Sequence, residues 1–232
     1  MHVLITRPLR DAQMTAQALR ARGHEVLISP VLEIIGTGAS IATTSGGPWD
    51  GVIATSAQAF DYLDTEGRAT IQHLPMFVVG TRTAQAAHNT GSKDIRIIAP
   101  HASELVIALA KQAPQHFLYL AGQDRKSDLE DGLAASGHAL TALVVYEARA
   151  ATGLSPKALG AMREGRLDAV LHYSRRSAAL FAQLVQQAGL GEELYRLRHV
   201  CISRDAADGM SQHCVIAKSP DQEGLFAALE LG

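Results

Sequence analysis

The sequence predicts an α/β fold of two similar lobes, each a parallel sheet flanked by helices. Three observations carry that expectation. Short apolar runs of strand length alternate with amphipathic stretches along all 232 residues, and most of the runs are apolar at every position, as strands covered on both faces are. The two halves of the chain resemble each other. Finally, a composition that is 47% hydrophobic and 19% charged supplies core for one large domain or two small ones and excludes a disordered chain.

In chain order the first runs are Val3-Leu4-Ile5, Val52-Ile53-Ala54, Phe77-Val78-Val79, Ile95-Arg96-Ile97-Ile98 and Phe117-Leu118-Tyr119-Leu120. Ala169-Val170-Leu171, Val200-Cys201-Ile202 and Val215-Ile216-Ala217 continue the series. Each leads through a turn into helical spacing, as in Leu180, Leu184, Val185 and Ala188. The Gly-, Thr- and Ser-rich stretch 36–48 reads as a loop. Two β-branched segments, 30–35 and 143–147, read as extended strands crossing between lobes.

Residues 2–33 align with 116–147, so that Leu4 meets Leu118, Leu19 meets Leu133 and Gly23-His24 meets Gly137-His138. The block from Asp50 to Ser56 likewise parallels that from Asp168 to Ser174. Two related lobes of roughly 110 residues follow from this repeat.

Several function classes fall away. A net charge of -2 gives no global field for nucleic acid or anionic membrane. No run approaches the length of a membrane span, and the start of the chain reads as a strand entering a turn rather than a secretory signal. Cys201 and Cys214 are the only cysteines and read as reduced, structural thiols of a cytoplasmic protein. Walker A, GxSxG and HExxH patterns are absent, and Gly36-Thr37-Gly38 fails as a dinucleotide fingerprint because Ile41 replaces the third glycine. The histidines lack metal-ligand spacing, so no metal site is expected. Gly23-His24 and Gly137-His138 read as helix C-caps, with each His facing the helix dipole.

Chemistry concentrates where strands turn into helices. Arg7, Arg82, Arg125, Arg175, Arg176 and Arg204 all stand at such turns, beside hydroxyls such as Thr6, Ser56, Thr83 and Ser174. Taken singly, Ser56, Thr83 and Ser174 read first as ordinary N-caps. The recurrence of Arg beside helix N-termini, at the carboxyl ends of parallel strands, points to a polyanionic ligand. The Arg excess, 16 against 5 Lys, agrees. Tyr146 lies in an apolar strand beside Glu147 at a crossing segment; it reads either as a packed sheet tyrosine or as a hydroxyl facing a cleft.

An ordered set of motifs spans the chain. It begins with Val3-Leu4-Ile5-Thr6-Arg7-Pro8, Leu19-x-x-x-Gly23-His24 and Pro30-x-x-Glu33-Ile34. Next come Asp50-x-Val52-Ile53-x-Thr55-Ser56 and Val79-Gly80-x-x-Thr83-Ala84. The strongest block is Leu118-Tyr119-Leu120-x-Gly122-x-Asp124-Arg125-Lys126-x-Asp128-Leu129, followed by Val144-Val145-Tyr146-Glu147. In this set the chain resembles the uroporphyrinogen-III synthase family. It departs from the family at His172-Tyr173-Ser174-Arg175-Arg176, where a Phe-Thr-Ser strand end is usual, and at Ser203-Arg204-Asp205-Ala206-Ala207, so no hydroxyl contact is carried over to Asp205 or Ala206.

The resemblance implies that the two lobes are joined by a two-stranded β-ladder. Residues 1–33 with 148–232 would form one lobe and 36–143 the other, with crossings near 30–36 and 143–149. It also implies a cofactor-free, monomeric, cytoplasmic enzyme that cyclises the linear tetrapyrrole hydroxymethylbilane to uroporphyrinogen III, losing water and inverting ring D. Tyr146 is then the catalytic candidate. Thr6, Arg7, Ser56, Gly80, Thr83, Gly122, Arg125, Lys126, Ser174 and Arg175 would bind the substrate. The competing expectation, from another class, is a two-lobe cytoplasmic binding protein for a small polyanion that performs no chemistry.

Overall fold

The computed structural model describes residues 1–231. In chain order it begins with β1 (His2–Ile5), α1 (Leu9–Ala21), β2 (Glu25–Ile28), β3 (Leu32–Gly36) and a 3-10 turn at Ile41–Thr43. There follow β4 (Gly51–Ala54), α2 (Gln58–Asp61), α3 (Thr65–Ile71), β5 (Met76–Val79), α4 (Thr81–Asn89), β6 (Ile95–Ala99), α5 (Ala102–Leu109), β7 (His116–Gly122), α6 (Asp128–Ala135) and β8 (Ala139–Ala150). The remainder is α7 (Pro156–Arg163), β9 (Ala169–His172), α8 (Arg175–Gln187), α9 (Glu193–Arg196), β10 (Arg198–Cys201), α10 (Arg204–Ala207), β11 (Cys214–Ile216) and α11 (Gln222–Glu230). The chain divides into two compact units, 1–33 with 149–232, and 34–148.

The first unit is built on a sheet of order β2-β1-β9-β10-β11, parallel throughout. Side chains alternate across it. Val3, Ile5, Leu171 and Val200 pack with Ala12, Ala16 and Leu19 of α1 and with Leu225, Phe226 and Leu229 of α11. His172 and His199 face the other side, where Phe181 of α8 lies against both rings. Truncating a fully buried ring such as Phe226 to Ala would cost about 3–5 kcal/mol. β2 carries the apolar run Val26-Leu27-Ile28, as long as Val3-Leu4-Ile5 but absent from the runs read as strands; it is a half-buried edge strand starting at an exposed Glu25.

In the second unit the parallel order is β8-β7-β4-β5-β6, with β3 added on the outer side of β8. One face carries Val52, Leu118 and Leu120 with Phe60 of α2, Ile71 of α3 and Ala87 of α4. The other carries Ile53, Phe77, Phe117 and Tyr119 with Leu105 of α5 and Leu133 of α6. The chain passes between units within β3 and β8, whose ladder is antiparallel: Thr37 N–H donates to Val145 O at 3.1 Å and Ala151 N–H to Val31 O at 3.0 Å.

Placed side by side, the two strand orders correspond, β1 to β7, β2 to β8, and β9, β10, β11 to β4, β5, β6. Small devices repeat with them. Asp168 Oδ2 accepts the His2 N–H that opens β1, and Asp50 Oδ2 accepts the His116 N–H that opens β7, both at 2.7 Å. Helices α1 and α6 both close on a left-handed glycine, Gly23 at φ +83° and Gly137 at φ +81°. The following N–H groups of His24 and His138 return to Leu19 O and Leu133 O. The glycines cap as expected, but the His138 side chain has another role. It is buried, accepts Gln115 N–H at Nδ1 and bonds Leu109 O through Nε2, 3.0 Å away.

Candidate functional site

In both sheets the strand order reverses its chain sense beside the first strand, β1 against β9 and β7 against β4. In open parallel sheets ligands bind beyond the carboxyl ends of strands at such a switch point. The candidate residues of each unit gather there.

In the first unit, Thr6 follows β1 and is fully buried, its Oγ1 donating to Leu171 O on β9 at 3.2 Å. Arg7 comes next. Its guanidinium lies 4.2 Å above the centre of the Tyr173 ring, pairs with Asp11 at 3.3 Å and donates to Thr15 Oγ1 at 3.3 Å. Burial pushes the Tyr173 phenol up, keeping it protonated. Ser174 caps α8, accepting the Ser177 N–H at 3.2 Å. Arg175 is exposed and reaches back to Asp205 at 3.0 Å and Asp208 at 3.1 Å around the α10 turn.

Behind this edge lies a buried imidazole pair. His199 Nε2 is 2.7 Å from Leu194 O, an acceptor, so that nitrogen carries the proton. His199 Nδ1 is therefore the acceptor for His172 Nε2, 3.0 Å away, and the rings stack at 5.3 Å. His172 Nδ1 is left as a bare lone pair, buried with no partner among the described residues. Burial, with His199 adding to it, pushes His172 down to about 3, and burial lowers His199 as well. Both rings are neutral at physiological pH.

In the second unit, Ser56 accepts the Gln58 N–H at 3.3 Å. Gly80, at φ +83°, opens α4 and donates its N–H to Ala99 O at 2.8 Å, while Thr83 within α4 is buried. Gly122 ends β7 opposite Tyr146 of β8. Tyr146 is half-buried, with its ring stacked 6.3 Å from Tyr62, whose hydroxyl donates to Ile34 O at 2.6 Å. In the turn after β7, Arg125 grips Glu130 Oε1 through Nε at 3.0 Å and Nη2 at 2.9 Å, and donates from Nη1 to Gly122 O at 3.2 Å. Lys126 is exposed beside it.

The fold thus gathers Thr6, Arg7, Ser174 and Arg175 at one sheet end, and Ser56, Gly80, Gly122, Arg125, Lys126 and Tyr146 at the other. Arg7, Arg125 and Arg175 are each oriented by a carboxylate, Asp11, Glu130 and the Asp205–Asp208 pair respectively. Two aromatic groups were missed by the sequence reading of function. Tyr173 stands in a strand end that sequence marks only as a departure, and Tyr119 stands inside an apolar run that reads as core. Among the described residues no group of three His, Cys, Asp or Glu side chains could hold a metal ion.

A family model described as uroporphyrinogen-III synthase HemD matches residues 13–227. The chain belongs to the uroporphyrinogen-III synthase family. Solved uroporphyrinogen-III synthases share its fold at low identity. The structure from Helicobacter pylori has a TM-score of 0.66 at 17% identity, covering 100% of this chain and 99% of that one. A mutant enzyme from the extremely thermophilic bacterium Thermus thermophilus has a TM-score of 0.51 at 15% identity, covering 99% and 97%. A search of curated proteins finds no match. Uroporphyrinogen-III synthases serve tetrapyrrole biosynthesis, and no described helix of this one is long and apolar enough to cross a membrane.

Proposed function

We propose that the protein cyclises hydroxymethylbilane to uroporphyrinogen III, and the observation that carries this reading is the family match over residues 13–227. The substrate bears eight carboxylates, which suits sheet ends rich in oriented Arg and helix N-termini. Arg7, Arg125, Lys126 and Arg175 would grip carboxylates. Ser56 and Ser174 would add hydrogen bonds, while Gly80 and Gly122 would let the ligand approach the backbone closely. Thr6 and Thr83, being buried, would support those turns from beneath.

The terminal hydroxymethyl group takes up a proton and leaves as water, generating an azafulvene cation stabilised by its pyrrole nitrogen. The substituted α-carbon of ring D attacks that cation and forms a spiro intermediate. Fragmentation of the older bond and reclosure at the free α-carbon of ring D invert the ring, and that carbon gives up its proton. One proton enters and one leaves, so the net loss is water. Tyr146 is the candidate to protonate or orient the departing hydroxyl. The larger task is conformational: the bilane closes unaided to the uninverted isomer I, and the enzyme must hold it in the geometry that leads to isomer III.

We further propose that the enzyme acts as a cytoplasmic monomer; Cys201 and Cys214 are both free thiols, and burial pushes the Cys201 thiol up and so makes it inert. The test is to supply hydroxymethylbilane, oxidise the products and separate the porphyrin isomers. Isomer III is expected. Isomer I alone, at every enzyme concentration, would overturn the assignment and favour a non-catalytic binder.

A further inference from the structure

Tyr119 sits where the sequence predicts only core. It is 3% exposed in the middle of β7, packed on the α5–α6 face with Phe77, Phe117 and Leu129. Its phenol oxygen is nevertheless 3.0 Å from Thr55 Oγ1, the first residue beyond β4, on the strand paired with β7. Thr55 is half-buried, so its hydroxyl stands between the core and the sheet's carboxyl end.

The direction of this hydrogen bond decides what it does. Burial pushes the Tyr119 phenol up, against the lowering effect of the Thr55 hydrogen bond and of Arg125, so it remains protonated. A buried phenol proton needs an acceptor, and leaving one unbonded is costly. If Thr55 were the donor, the Tyr119 proton would be the one stranded in the core. If Tyr119 donates, its buried proton is satisfied and the half-buried Thr55 hydroxyl keeps its own proton for another acceptor. A threonine hydroxyl ordinarily rotates among several partners; one that accepts from a fixed phenol has that direction closed to its own proton and fewer orientations left.

We propose that Tyr119 is a positioning residue: its buried phenol donates to Thr55 and aims the Thr55 hydroxyl as a hydrogen-bond donor for a carboxylate of the linear tetrapyrrole. The assignment rests on the cyclisation reading above. It makes Thr55 the binding group and Tyr119 the group that acts through it.

The experiment compares Tyr119→Phe, Thr55→Val, Thr55→Ser and the Tyr119→Phe/Thr55→Val double variant, reading kcat, KM, isomer ratio and thermal midpoint. Thr55→Val should raise KM about three- to tenfold with kcat within about twofold, the size of one net hydrogen bond. Tyr119→Phe should raise KM in the same direction, and the double variant should be no worse than Thr55→Val alone, because one interaction is being removed twice. Thr55→Ser should retain the wild-type KM. The proposal is overturned if Tyr119→Phe lowers the thermal midpoint but leaves KM unchanged, or if the two single effects multiply in the double variant. Failure of the cyclisation reading would look different, since wild-type protein would then yield no isomer III at all.

Discussion

The Tyr146 ring occupies the place where a side chain on Gly122 would stand. A Cβ built on Gly122 would meet Tyr146 Cζ at 2.6 Å, its hydroxyl oxygen at 2.7 Å and Cε2 at 2.8 Å. Tyr62 stacks on the same tyrosine with its ring centre 6.3 Å away. A glycine at the end of β7 therefore seats the candidate catalytic phenol. Gly122→Ala should act as overpacking, costing about 1–3 kcal/mol and moving the phenol. Urea midpoints for Gly122→Ala, Tyr146→Ala and the pair should show a double loss smaller than the sum, since removing the ring removes the clash. Strictly additive losses would mean that the ring is not seated on Gly122.

Catalysis should be distributed. A bilane that closes unaided requires no nucleophile, and an enzyme that works by holding a conformation spreads its effect over many contacts. Tyr146→Phe retains the ring on Gly122 and removes only the hydroxyl. Losing one proton donor typically costs about 10²–10⁴-fold, and water can take over part of the task. The expected outcome for Tyr146→Phe, Ser56→Ala, Thr83→Ala and Ser174→Ala is a graded fall in kcat with mostly isomer III retained. A variant that folds normally yet runs at the spontaneous rate would identify an essential acid and sink the distributed account.

The arginines separate by how they are held. Arg175 is 58% exposed and its partners Asp205 and Asp208 are also wet, so these ion pairs add little to stability. Arg125 is more buried, and its bond to Gly122 O closes the turn on which the Tyr146 seat depends. Arg175→Ala should raise KM with an unchanged thermal midpoint, whereas Arg125→Ala should raise KM and lower the midpoint too. For the wild type, KM should rise with salt as the carboxylate contacts are screened. A salt-independent KM would contradict the electrostatic reading of the sheet ends.

Sequence revealed the α/β class because strands such as Val3-Leu4-Ile5 and Phe117-Leu118-Tyr119-Leu120 are covered on both faces and must be apolar at every position. The mark does not report burial by itself: β2 holds the apolar run Val26-Leu27-Ile28 yet is only half-buried at a sheet edge, and β8 begins at Ala139, before its apolar stretch. Pairing is harder to read than identity. Arg7 and Asp11 are four apart on the rim of α1, a spacing visible in sequence, but Arg175 with Asp208 and Thr55 with Tyr119 meet only because the sheets order their strands as they do. The same is true of His172 and His199. No local pattern distinguishes a histidine that ends a strand at the surface from one whose neighbour on the next strand holds it neutral in the core.

That histidine pair should make the first unit acid-sensitive. His172 is fully buried, and its folded-state value is lowered from 6.5 to about 3. Above pH 6.5 the ring is neutral whether folded or unfolded, so no stability is lost. Below pH 6.5 the unfolded chain takes up a proton that the folded chain refuses, and stability falls by about 1.4 kcal/mol per pH unit until the pH nears 3. At about pH 5 the loss from His172 alone is about 2 kcal/mol, and His199, lowered in the same direction, adds to it. Protonating His199 would also remove the hydrogen bond between the rings, because Nδ1, its one nitrogen without a proton, is the acceptor for His172 Nε2. Urea unfolding between about pH 8 and pH 5 should show this decline. The control is His172→Gln/His199→Leu, which removes both titrating rings and should flatten the curve over that range even if its stability at the alkaline end is lower. An equally steep decline in the double variant would show that the acid sensitivity arises elsewhere.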